Sequence, residues 1–228
     1  MTTTTKFRVR IVLATAVCGL LLVGCASKPP EPEWEMNAHG SAQKALDAYL
    51  SGNARVEKLE WERARAEVAR TGRPDLLARL ELLRCAAQVA SLVVEPCTAF
   101  EALRQDAAPP ERAYADHLAG RALTAPEVAL LSAAQRAVAT QGASGAALAA
   151  IEDPLSRLVA AGVLLQAGRA DPAAIATATD TASAQGWRRP LMAWLLLQVQ
   201  RAEAAGDKDA AERLRRRVAV VEQAGASK

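Results

Sequence analysis

The chain has 228 residues, 51% of them hydrophobic and only 4% aromatic, and a formal net charge of +3. That length supports a substantial core, and so small a charge excludes the strong basic footprint of a nucleic-acid binder. The surplus itself lies in Lys6, Arg8 and Arg10; the chain beyond residue 24 balances 25 basic against 25 acidic side chains.

Behind those three cations runs an uncharged apolar stretch from Ile11 to Val23, 13 residues long. A helix needs roughly 20 to span a bilayer, so this stretch matches the apolar region of a secretory signal instead. It closes on Leu22-Val23-Gly24-Cys25, where a small residue precedes a cysteine. These four residues resemble the lipobox of bacterial lipoproteins. The resemblance implies that residues 1–24 are a signal peptide, and that Cys25 is acylated and becomes the mature amino terminus. It also implies that the protein meets the membrane through that lipid. Ala26 and Ser27 follow the cysteine and no aspartate sits beside it. In that class this implies the outer membrane, with the body lipid-anchored on the periplasmic face.

Processing simplifies the cysteines. Cys18 leaves with the signal and Cys25 carries lipid, so Cys85 and Cys97 remain as a pair in an oxidising compartment, where a disulfide is expected. Two buried free thiols or half a metal site are the competing readings. Without nearby histidines two cysteines cannot complete a zinc shell.

Residues 25–36 contain Lys28-Pro29-Pro30-Glu31-Pro32-Glu33 and lack apolar periodicity. Proline at this density favours an extended tether of about 3.1 Å per residue, which keeps the body within roughly 30 Å of the bilayer. Residues 37–228 read as one all-helical domain. Alanine, leucine, arginine, glutamate and glutamine dominate it, and β-branched runs are scarce. Glycine, proline and asparagine punctuation predicts helices over 38–51, 54–71, 74–91, 97–105, 110–120, 125–140, 144–151, 154–167, 172–185, 188–205 and 208–224, one of the short ones being weak. Ser91-Leu92-Val93-Val94 reads as a frayed helix end before Pro96.

Several joints carry their own chemistry. Thr124-Ala125-Pro126-Glu127 fits a capping box, and Asp153-Pro154 and Asp171-Pro172 each set an acidic N-cap before proline at the first helical position. Asp207 is placed to cap the last helix. Short joints fold consecutive helices into antiparallel hairpins. In helix 54–71, Trp61, Ala64 and Val68 share one face while Val56, Leu59 and Ala66 lie nearly opposite. Burial on both faces is what stacked hairpins produce.

Trp194, Leu197, Ala210 and Leu214 fall where tetratricopeptide repeats carry their large, leucine, small and aromatic positions, and this segment resembles that family in degenerate form. Gln198, Arg201 and Arg217 depart from its glycine, tyrosine and second alanine. The resemblance implies an all-α fold of antiparallel hairpins stacked as a tetratricopeptide-like α-solenoid, with a compact helical bundle as the alternative.

Candidates for catalysis are few. His39 and His117 are the only histidines. Asp116 adjoins His117, but successive helical residues point about 100° apart and do not form a triad unit. No nucleophile elbow, phosphate-binding glycine loop or zinc-protease motif occurs. No catalytic residue, cofactor or metal is therefore assigned. Glu60-Trp61-Glu62 could frame a sugar, which supports the alternative of a carbohydrate-binding or peptidoglycan-hydrolysing protein with a carboxylate cleft. Tryptophan and arginine are enriched in interface hot spots, which singles out Trp187, Arg188 and Arg189 as partner-binding residues. Arg213 and Arg216, in the densest positive run, complete the set. The sequence thus reads as a scaffold or assembly factor that holds a protein partner in an envelope complex.

Overall fold

The computed structural model describes residues 32–141 and 145–226. The signal, the lipobox with Cys25 and nearly all of the tether lie outside them. Twelve helices and no strand occur among the described residues: α1 Glu33–Ser51, α2 Ala54–Ala69, α3 Pro74–Ala90, α4 Thr98–Glu101, α5 Pro109–Leu118, α6 Ala125–Leu130, α7 Ala133–Gln141, α8 Gly145–Ala149, α9 Pro154–Gln166, α10 Pro172–Ala184, α11 Arg188–Ala204 and α12 Lys208–Ala226. The all-α expectation holds.

The caps form as the sequence chemistry requires. Asp153 accepts from the Ser156 N–H at 2.6 Å, Asp171 from Ala174 at 2.6 Å and Asp207 from Ala210 at 2.9 Å. Each carboxylate thereby satisfies one of the orphan donors of a first helical turn. At α6 the Glu127 carboxylate accepts from both the N–H and the hydroxyl of Thr124, each at 2.7 Å.

Three boundaries differ from expectation. Helix α1 begins at Glu33 rather than 38, so the last residues assigned to the tether are helical. Glu33 and Glu35 sit in its first turn, where the macrodipole favours acids, and Trp34 packs against the cluster of Ala38, Ala42, Trp61 and Ala64. The span 125–140 is broken between α6 and α7 because Leu131 turns extended and is 4% exposed; continuing the helix would withdraw it from the interior. The span 97–105 shortens to the single turn of α4, followed by further turns.

The core is organised around α9. Seven consecutive residues, Leu158 to Leu164, are buried, which only a helix surrounded on all sides can achieve. It packs on α3, α5, α7, α8 and α10. At Gly162 the Val89 carbonyl of α3 occupies the space a Cβ would need, so the two backbones approach closely. Helices α1–α2 and α11–α12 form hairpins at the flanks, and α11 also lies against α1. The α3–α9 and α1–α11 pairs join segments far apart in the chain. Nearest-neighbour stacking of a solenoid does not supply such contacts, and a bundle does.

Helix α2 packs on one side only, contrary to the two-sided expectation. Trp61, Ala64 and Val68 are buried while Val56 and Leu59 are 38% and 47% exposed. Among the described residues no helix covers its outer face, since the α1–α2 hairpin is at the edge of the described helices.

Cys85, inside α3, and Cys97, just before α4, are joined by a disulfide with a Cα–Cα distance of 5.9 Å. The bond closes the turn in which α3 ends. Leu92 stands there at φ 58°, and the Val93 N–H returns to the Gln88 carbonyl at 3.0 Å, the bond of a Schellman cap. The segment Ser91 to Val94 is therefore a helix end, as read from the sequence.

Candidate functional site

Among the open cavities formed by the described residues are two that combine apolar walls with polar groups and use the end or flank of α3. The first, about 430 Å³, lies between α3, α5, the α6–α7 break and α9. Leu82, Leu83, Leu130, Leu131, Leu155 and Val159 give it an apolar lining. The break at Leu131 builds this groove, since it turns Leu131 inward and leaves Leu130 41% exposed. Arg79 and Glu111 stand on its rim, bridged at 2.6 Å and 2.9 Å through one carboxylate oxygen. The second oxygen of Glu111 is buried and has no hydrogen-bond partner. Burial, with Asp153 adding to it, pushes the Tyr114 hydroxyl well above the usual phenol range, so Tyr114 stays neutral in the wall.

The second cavity, about 410 Å³, lies where the ends of α1 and α3 meet the start of α11. Arg188 donates from Nε to the Ser51 carbonyl at 3.2 Å and from Nη2 to the Gly52 carbonyl at 3.0 Å. Arg189 donates from Nε to the Tyr49 carbonyl at 2.8 Å and lies 4.2 Å over the Tyr49 ring. Arg188 thus satisfies the carbonyls of Ser51 and Gly52, and Arg189 adds a second donor to that of Tyr49, which also accepts from the Gly52 N–H at 3.0 Å; positive charge there suits the macrodipole. Gly52 is required twice here. Its φ of 77° disfavours other residues, and a Cβ would collide with the Arg188 guanidinium. Glu57 sits 3.6 Å from Arg189 and 3.9 Å from Arg84. Burial raises the Tyr49 phenol above its ordinary value.

The sequence candidates divide between these surroundings. Arg188 and Arg189 line the second cavity while bracing α1, and Trp187 is half-buried against the clusters that join α1 to the core. Arg213 and Arg216 are exposed on the outer side of α12, whose inner side packs Leu214, Val218 and Val221 on Leu195 and Val199. The structure does not bring the two arginine groups into one cavity. Trp61, the residue that suggested sugar stacking, is 6% exposed in the α1–α2–α3 cluster, and Glu60 is bridged to Arg63 at 2.6 Å.

Asp116 and His117 face different partners, as their adjacency implies. Burial by itself would raise Asp116, but Arg104 at 2.9 Å and Arg121 at 2.6 Å hold it below the usual carboxylate range. His117 is 4% exposed and meets the Gln135 Oε1 at 3.0 Å, while Gln135 Nε2 donates to the Ser156 carbonyl at 2.8 Å. Since that Gln135 oxygen can only accept, His117 Nε2 carries the proton. Burial lowers the His117 pKa. Among the described residues no cluster of histidine, cysteine and acids is placed to hold a metal ion.

Sequence reasoning missed the groove, Ser91 and Glu111. Groove residues come from four helices with no common motif. Comparison with known proteins finds no matching family model, no similar curated protein and no similar solved structure.

Proposed function

We propose that this chain is a lipoprotein of the outer membrane, anchored through Cys25 on the periplasmic face, whose helical domain binds a protein of an envelope complex. The mechanism is tethering. Lipid confines the domain to a surface and raises its effective concentration there, and a groove between helices selects the partner. The acyl chains of such an anchor hold the protein durably, as a single chain would not. Leu22-Val23-Gly24-Cys25 supports the anchor, and the Cys85–Cys97 bond suits an oxidising compartment.

The observation that carries the binding reading is the groove beside Leu130. It offers leucines to an apolar segment, and the buried, unpartnered oxygen of Glu111 lies in its wall. A buried acceptor left unpaired costs about 1–3 kcal/mol, which a basic or amide group on the partner recovers. The occupant is accordingly an apolar stretch with one well-placed donor.

A photo-crosslinker at position 130 in intact cells tests this. One envelope protein is expected to be captured, and Glu111→Leu is expected to reduce that capture. Radiolabelled palmitate is expected to mark the wild type and not Cys25→Ala. Absence of label removes the anchor, and absence of any captured protein removes the scaffold.

A further inference from the structure

We propose that the second cavity binds a small amphipathic carboxylate, its head on Arg188, Arg189 and Ser91 and its aliphatic tail along Met192, Ala193 and Leu196. This goes beyond the scaffold reading and uses a different part of the domain.

Charge is the first argument. Arg84 and Arg189 share one acid, Glu57, at distances too long for hydrogen bonds, and the hydrogen bonds of Arg188 go to the neutral carbonyls of Ser51 and Gly52. Each guanidinium has five N–H donors. Arg188 commits two of them to carbonyls and Arg189 one. A planar carboxylate suits the remaining forks, which favour bidentate contact. The carbonyl ends of α1 and α3 would otherwise repel an anion. Those of residues 49, 51 and 52 already accept from the arginines, and that of Ala90 accepts from Trp194 Nε1 at 3.1 Å.

The hydroxyls supply the second argument. Ser91 is 4% exposed, lines the cavity and has an Oγ without a hydrogen-bond partner of ordinary geometry. Its neighbour is the buried Tyr49 hydroxyl, which likewise has no partner of ordinary geometry. Two hydroxyls can share one bond, yet each has a proton to donate. When Tyr49 donates to Ser91, the Ser91 proton still needs an acceptor, and a ligand oxygen in the cavity provides it.

The third argument is the apolar wall. Met192, Ala193 and Leu196 share one side of α11, and Leu196 is 45% exposed. A hydrocarbon tail would cover it. Arg188 is also held in place beforehand, because Gly52 and Gly225 approach it from two sides with no Cβ to displace it. Such preorganisation favours binding. Glu57 beside Arg189 disfavours a doubly charged head, which selects a carboxylate over a phosphate monoester.

Calorimetric titration of the full chain in nanodiscs of zwitterionic lipid tests the proposal with hexanoate, hexyl phosphate and hexanol. Hexanoate is expected to bind once per chain, and hexanol not at all. Ser91→Ala is expected to weaken hexanoate about threefold or more, by loss of one hydrogen bond. Leu196→Asp is expected to weaken it about tenfold or more through like-charge repulsion. The Arg213→Ala/Arg216→Ala double variant is expected to bind as the wild type. The proposal is overturned by absence of saturable hexanoate binding, by tighter binding of hexyl phosphate, by undiminished binding in Ser91→Ala, or by loss in the double variant. No protein partner enters this titration, so it and the scaffold reading fail independently.

Discussion

The two arginine-rich segments of the last hairpin look alike as sequences and have opposite situations in the fold. Arg188 and Arg189 reach across to α1 and tie down its final carbonyls, whereas Arg213 and Arg216 stand exposed on α12. The difference lies in their neighbours. The carboxyl end of α1 meets the start of α11, and its carbonyls bind the first cations within reach. On the outer side of α12 the arginines Arg213 and Arg216 are exposed to solvent.

Five measurements can break or sharpen that contrast. The largest effect is expected at the disulfide, which fixes the end of α3 and so the Ser91 wall beside Arg188. Replacing both Cys85 and Cys97 by serine should lower stability by about 3 kcal/mol in urea unfolding, the loop-closure entropy regained by the unfolded chain. Gly52→Ala comes next, at about 2 kcal/mol, because it forces a left-handed φ on alanine and dislodges Arg188. If that variant is as stable as the wild type, Arg188 is not a brace. Arg189→Ala should cost about 1 kcal/mol by removing one of the two donors to the Tyr49 carbonyl, which keeps the Gly52 N–H at 3.0 Å, and the cation over the Tyr49 ring.

A smaller effect, controlled by pH, belongs to His117. Its folded pKa lies below the ordinary 6.5, so the unfolded chain takes up the proton first as pH falls. The stability it contributes is complete above 6.5 and is lost on acidification below that value. In His117→Gln the fall in melting temperature over that range should be shallower; an identical slope would assign it to other groups. Smallest of all, Arg213→Ala and Arg216→Ala should each change stability by less than about 0.5 kcal/mol, as exposed residues do. A larger loss would mean that α12 is braced like α11.

Much of the fold was legible locally. Asp153, Asp171 and Asp207 cap the helices that they were expected to cap, because a cap needs only a short acid and the N–H three residues on. The Cys85–Cys97 bond could be expected once the other two cysteines were set aside. The break at Leu131 was missed. Residues 125–140 read as one helix although Ser132 sits inside the span; its Oγ accepts from the Gln135 N–H at 3.5 Å at the start of α7, while Leu131 takes a place in the interior. The outer side of α2 misled for the same reason: Val56 and Leu59 have the spacing of a buried face, but among the described residues no helix covers it. Of the two candidate cavities, the arginines of the second could be singled out for their chemistry, and Ser91 could not. Its significance depends on Tyr49, Arg188 and Arg189 arriving from other helices.

The sequence by itself determined the helical class, most of the joints and the pairing of Cys85 with Cys97, since these depend on backbone propensity, capping and counting over short distances. The tertiary structure decided which apolar faces are covered, where a good helix is interrupted and which arginines face inward. Those outcomes depend on contacts such as α3 with α9 and α1 with α11, whose energies come from groups far apart in the chain.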